Sequence, residues 1–96
     1  MTPAFRVVVT PHFERLFRKL DKRHPDLLDT YQRAISILQA DPHNRSRSHA
    51  IKKLEAVKPG EGQYRLRLGR WRFRYDIMGQ DVVLHYCGLR REETYR

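Results

Sequence analysis

Residues 63–74, QYRLRLGRWRFR, alternate with a period of two, and nothing else in the chain restricts its fold as much. Tyr64, Leu66 and Leu68 fall on one side, Arg65 and Arg67 on the other. Beyond Gly69-Arg70 the pattern resumes, with Trp71, Phe73 and Tyr75 set against Arg72, Arg74 and Asp76. A period of two belongs to a half-buried strand, and Gly69-Arg70 has the length of a two-residue hairpin turn. Folding there opposes Leu68 to Trp71, Arg67 to Arg72, Leu66 to Phe73, Arg65 to Arg74, and Tyr64 to Tyr75. A slip of one residue would mix the two faces, so this register is the expected one.

Like charges directly opposed across a sheet destabilise it, by a few tenths to about 1 kcal/mol per pair. A merely solvated face would be served by mixed lysine and glutamate without that repulsion. Four arginines on one face therefore point to an anionic ligand. The planar guanidinium matches phosphate in particular.

The wider composition agrees with this. The chain has 96 residues, the size of one domain with one core. Lys and Arg number 20 against 11 Asp and Glu, a formal charge of +9. Such a balance suits nucleic acid or an acidic protein partner. A lone cysteine, Cys87, excludes an internal disulfide framework and fits a reducing cytoplasm. Its place in a strand pattern makes it a buried structural thiol rather than a nucleophile. The apolar run Val7–Val9 is too short for a signal peptide or a spanning helix, so no membrane role is expected.

Taken in order, Phe5 to Thr10 reads as a first strand. Thr10 can cap a helix with Pro11 at its first position. Phe13, Leu16, Phe17 and Leu20 recur at helical spacing, predicting an amphipathic helix over 11–23. Its outer residues Arg15, Arg18, Lys19, Lys22 and Arg23 form either a solvated face or a second anion-contact surface. His24-Pro25 breaks the helix. Residues 26–40 carry a stronger stripe, from Leu27 and Leu28 through Tyr31, Ala34 and Ile35 to Leu38, and Asp41-Pro42 ends it. Two such helices make an antiparallel hairpin covering the apolar face of the sheet.

Residues 43–49, HNRSRSH, are an aperiodic basic loop, and Arg45 and Arg47 are candidates for the rim of an RNA groove. Within residues 50–57 a short strand is expected near Leu54 to Val57. The turn KPGEG at 58–62 lacks the glycine spacing of a phosphate-binding loop. Gly79-Gln80 is a second hairpin turn. It opposes Ile77 to Val82, Tyr75 to Leu84, Arg74 to His85 and Phe73 to Tyr86, which adds His85 to the arginine face.

For chemistry, the five histidines show neither an HxxxH pair nor a companion cysteine cluster, so no metal is expected. Nucleophilic triads and paired carboxylates also lack a signature. The cationic face suits metal-free cleavage of an RNA phosphodiester. That reaction needs a base for the 2′-hydroxyl, cations for the phosphorane, and an acid for the leaving oxygen. Arg65, Arg67, Arg72 and Arg74 can supply the cations. His85, expected to lie among arginines that favour its neutral form, and Tyr95 are the proton-transfer candidates.

The block YRLRLGRWRFRYDI and the ending GLRREETYR resemble the two signature segments of the RelE/ParE superfamily of toxins from type II toxin–antitoxin modules. The resemblance extends from Phe5 to Tyr95. It implies an α+β fold of order β-α-α-β-β-β, with an antiparallel twisted sheet covered on one face by a helical hairpin. It also implies ribosome-dependent cutting of mRNA to a 2′,3′-cyclic phosphate, and silencing by a cognate acidic antitoxin. No small-molecule cofactor is implied.

By motif position, Arg65, Arg67, Arg72, Arg91 and Tyr95 correspond to the site residues, with Arg90 an alternative to Arg91. The acid usual after the glycine is here Arg70, which is expected to enlarge the positive field at the hairpin tip. Two other readings stand beside this one. One is a ParE-like inhibitor of DNA gyrase, and the other a non-catalytic family member that binds antitoxin or RNA.

Overall fold

A computed structural model of the chain describes residues 4–89. Its seven elements are β1 (Arg6–Val9), α1 (Pro11–Asp21), α2 (Leu27–Ala40), β2 (Ile51–Lys53), β3 (Tyr64–Leu68), β4 (Trp71–Met78) and β5 (Asp81–Leu89). The strands make one sheet in the order β1-β5-β4-β3-β2. The fold is a small α+β unit of two helices on a five-stranded mixed sheet. No helix among the described residues is long and apolar enough to cross a membrane.

Local chemistry starts the helices where the sequence suggests. Thr10 is extended, its hydroxyl oxygen accepts the Phe13 N–H at 3.0 Å, and Pro11 fills the first position, where no N–H is needed. Arg18 and Lys19 in the last turn of α1 complement the negative end of the helix dipole. Across the His24-Pro25 break, Phe17 packs on Tyr31 with ring centroids 4.8 Å apart, joining α1 to α2.

The apolar face of the sheet meets both helices. Phe13 from α1 and Leu27, Ala34 and Leu38 from α2 are buried with Leu66, Trp71, Phe73, Tyr75, Val82, Leu84 and Cys87. Each large side chain removed from water contributes about 1.5–3 kcal/mol. The Tyr75 hydroxyl donates to the Pro42 carbonyl at 2.8 Å, so its polar end is satisfied in the core. Cys87 is 1 % exposed, and burial pushes its thiol up to about 12, the behaviour of an inert structural cysteine.

Hairpin β3–β4 has the register expected from the alternation, from Tyr64–Tyr75 through Arg65–Arg74, Leu66–Phe73 and Arg67–Arg72 to Leu68–Trp71. Gly69 supplies the positive φ, +59°, that the first residue of such a turn needs.

Three expectations need correction. The sheet is not wholly antiparallel, because β1 runs parallel to β5, with Val7 beside Val82 and Val9 beside Leu84. The long excursion through both helices and three strands supplies the crossover that a parallel pair requires. The short strand lies at Ile51–Lys53, not at 54–57. Ile51 pairs with Leu66 and Lys52 with Arg65, while Ala56 turns the chain away at φ +61°. Finally, β4–β5 is bulged. Ile77–Val82 and Tyr75–Leu84 pair as expected, but Arg74 then faces Tyr86 and Phe73 faces Cys87. His85 is the extra residue.

Candidate functional site: a cationic sheet face with a buried carboxylate

The face of the sheet turned away from the core gathers cations across three strands. Lys52 on β2 pairs with Arg65 on β3, which pairs with Arg74 on β4. One step along, Arg67 pairs with Arg72. The arginines differ in environment, however. Arg67 is exposed, Arg65 is half-buried, and Arg72 is only 6 % exposed. A guanidinium shielded from water acts on a nearby charge through a lower dielectric than one in solvent.

Arg74 is not free to meet a ligand as the sequence suggested. Its Nε donates to the Gly62 carbonyl at 3.2 Å, and its Nη2 donates to the carbonyls of Gly62 and Glu61 at 3.0 and 3.1 Å. It fastens the 57–63 turn to β4. Gly62 is required at this contact, because its φ is +83° and a Cβ there would lie 3.0 Å from that of Arg74.

Two residues further along β4, Asp76 holds the same turn by its donors. Oδ2 accepts the N–H groups of Gly60 and Gly62 at 2.9 and 3.0 Å, and Oδ1 accepts that of Gln63 at 3.0 Å. Asp76 is 2 % exposed. Burial raises its pKa, but the three amide donors and the neighbouring His85 outweigh that, and its carboxyl stays below the usual range.

His85 touches this carboxylate. Its Nε2 lies 2.8 Å from Oδ2 of Asp76, with the ring only partly exposed. Nε2 is itself sealed from water and makes no hydrogen bond of good geometry among the described residues. The expectation of an imidazole set among arginine neighbours is thus replaced by one lying against the Asp76 carboxylate. Tyr86 follows, lying along the strand over Gly88, where an added methyl would collide with the Tyr86 hydroxyl.

Arg70 also departs from expectation. It leaves the cationic face and joins the start of α2, with Nε and Nη2 donating to Asp26 at 3.3 and 2.8 Å and the guanidinium over the Trp71 ring. The Trp71 indole N–H donates to the same carboxylate at 2.9 Å. Arg70, followed by Trp71, holds the Asp26 carboxyl far below its usual value. Rather than enlarging the positive field at the hairpin tip, Arg70 bolts the tip to the helices.

Arg45 and Arg47 are exposed on a loop with more internal structure than its composition suggested. Asp41 accepts the N–H groups of Arg45 and Ser46 and the Ser46 hydroxyl, and Asn44 exchanges two hydrogen bonds with His49. The loop meets the sheet through His43, whose ring stands edge-on to Phe5 and Tyr64. Arg90, Arg91 and Tyr95 lie outside the described residues. Among the described residues no group of three His, Cys, Asp or Glu side chains could hold a metal ion.

The residue that sequence reasoning missed is Asp76. Its signal was present, as the one acid in the outward series Arg72, Arg74, Asp76, where another cation would continue the pattern. No family model, no curated protein and no solved structure matches the chain.

Proposed function

We propose that this chain is a RelE-like toxin of a type II toxin–antitoxin module. In this reading it is a metal-independent endoribonuclease that cuts mRNA on the ribosome in the cytoplasm and is silenced by a cognate acidic antitoxin. The observed order β-α-α-β-β-β-β is then the RelE order that the resemblance implies with one short strand, β2, added at the sheet edge. The observation that carries the reading is the like-charge register Arg65–Arg74 and Arg67–Arg72, flanked by Lys52, with an imidazole on the same face. A sheet that tolerates such repulsion gains from an anionic backbone laid across it.

In the proposed reaction His85 takes the proton of a ribose 2′-hydroxyl. The 2′-oxygen forms a bond to phosphorus, the bond from phosphorus to the 5′-oxygen breaks, and a 2′,3′-cyclic phosphate and a 5′-hydroxyl result. Arg65, Arg67 and the shielded Arg72 neutralise the charge that grows on the phosphorane. Tyr95 is assigned the proton for the leaving oxygen, and Arg91, or Arg90 in its place, a further cation by motif position.

A second reading has its own support. Arg74 is committed to the Glu61 and Gly62 carbonyls and Arg70 to Asp26, which reduces the cations available to a substrate. That favours a member that binds without cutting, whether a ParE-like gyrase inhibitor or an antitoxin- or RNA-binding module. Primer extension on a reporter mRNA in a translation extract separates the two. Cuts at fixed codon positions, ending in cyclic phosphate, are expected. Intact mRNA with accumulation of relaxed plasmid would overturn the nuclease in favour of the gyrase inhibitor.

A further inference from the structure

We propose that Asp76 is a positioning residue that locks the 57–63 turn and His85 into one wall of the cationic face, so that the imidazole offers its Nδ1 lone pair to the bound RNA. The inference rests on the nuclease reading and goes beyond it, because it concerns an acid that the phosphodiester chemistry does not itself require.

Three amide donors and one imidazole nitrogen converge on the two oxygens of this carboxylate. Oδ2 faces the amides of Gly60 and Gly62 and the Nε2 of His85, and Oδ1 faces the amide of Gln63. Arg74, on the same strand and face, takes the carbonyls of Glu61 and Gly62. The turn is therefore gripped through its donors by one residue and through its acceptors by the other. The three amides already hold the turn, so the contact with His85 is additional to what the turn needs.

The bulge supplies the second line of argument. Between Tyr75–Leu84 and Arg74–Tyr86 the strand spends one residue outside the ladder, and that residue is His85. Bulges of this kind re-aim a side chain. This one sets a ring nitrogen 2.8 Å from a carboxylate with a nearly dry surround. The hydrogen bond is not yet of good geometry. Contacts of this type commonly tighten only when substrate is bound. With the proton of the neutral ring held on Nε2 by Asp76, the lone pair must sit on Nδ1.

The test uses the full chain labelled with nitrogen-15 at histidine, with a short single-stranded RNA as ligand and a reporter mRNA in a translation extract for cleavage. In the wild-type protein with RNA bound, His85 should show one tautomer and an Nε2 proton protected from water. Asp76→Asn should lose that protection and lower cleavage about 100-fold, with RNA affinity changed less than about twofold. A wild-type His85 whose tautomers average as in a free imidazole overturns the proposal, as does an Asp76→Asn chain that cuts at the wild-type rate. The wild-type spectrum requires no variant, so unfolding of Asp76→Asn cannot shelter the idea. Failure of the wild-type chain to cut any mRNA overturns the nuclease reading and the catalytic purpose of Asp76 with it. A protected proton in that case separates this failure from a failure of the geometry.

Discussion

Hairpin β3–β4 runs through five residue pairs without interruption, whereas β4–β5 admits an extra residue, His85, between its fourth and fifth pairs counted from the turn. The two share β4 and have similar turns, with Gly69 and Gly79 both at positive φ. They differ in what the outward face must do. In the first, the outward partners are arginines that need only stand opposite one another. In the second, an imidazole has to reach a carboxylate two residues beyond Arg74. The bulge also lets Leu84 and Cys87, three apart in sequence, both enter the core. The regular hairpin opposes cations across its outward face, and the irregular one sets an imidazole against an acid.

The largest effect that can break this comparison comes from the residue both hairpins share. Phe73 pairs with Leu66 on one side and Cys87 on the other and is fully buried. Phe73→Ala should cost about 3–5 kcal/mol in urea unfolding, enough to threaten a domain of this size. A loss below about 1 kcal/mol would mean that the two hairpins do not rest on a common core.

Next comes Asp76, whose removal leaves three amide donors of a partly buried turn without their acceptor. Asp76→Ala should cost about 3 kcal/mol at neutral pH. The sign of its acid dependence follows from a folded pKa below the unfolded one. Its contribution is complete above roughly pH 4, the unfolded value, and is lost as pH falls through the folded value. Asp26 and Asp41, also lowered, weaken in the same direction. Wild-type stability should therefore fall below about pH 4 more steeply than that of Asp76→Ala. Parallel curves would show that the carboxylate is not held as its contacts imply.

How much of this was legible depended on the distance between partners. The β3–β4 register could be read because its contacts are local and each apolar residue has an apolar partner no more than 11 positions away, Tyr64 and Tyr75 being the farthest apart. The β1–β5 pairing could not, since Val7 and Val82 are joined only through the packed whole. The bulge was hidden because Tyr86 and Cys87 are both acceptable core residues, so Leu84-His85-Tyr86-Cys87 alternates plausibly in either register. Arg70 misled for a related reason. Its acid, Asp26, belongs to a helix whose position over the hairpin tip no local pattern reveals. The short strand was placed a few residues late because AIKKLEAV has apolar residues at both ends, and only the pairing of Ile51 with Leu66 decides between them.

Deleting His85 tests the bulge itself. Pairs 75–78 with 81–84 and 71–74 with 86–89 are both already formed, so the deletion should join them into one regular ladder. Stability should change by less than about 1 kcal/mol, within the range of surface changes that disturb no core contact. Amide exchange should show continuous protection across residues 82–89, and the mRNA cleavage proposed for the chain should disappear. A chain that unfolds on this deletion would give the bulge a structural purpose and weaken its assignment to the site.

The smallest expected effect is the most specific to the charged hairpin. Arg67 is exposed and stands opposite Arg72, so Arg67→Thr removes one like-charge pair and places a β-branched side chain on the strand. It should stabilise the protein by a few tenths of a kcal/mol, more at low salt than at high, because the repulsion is screened. The same change should weaken RNA binding and reduce the slope of log affinity against log salt by about one. A gain in stability coupled to a loss of binding is what a surface shaped for an anion predicts. Should stability fall instead, with binding unchanged, Arg67 would be a structural residue and the ladder would owe its register to the core alone.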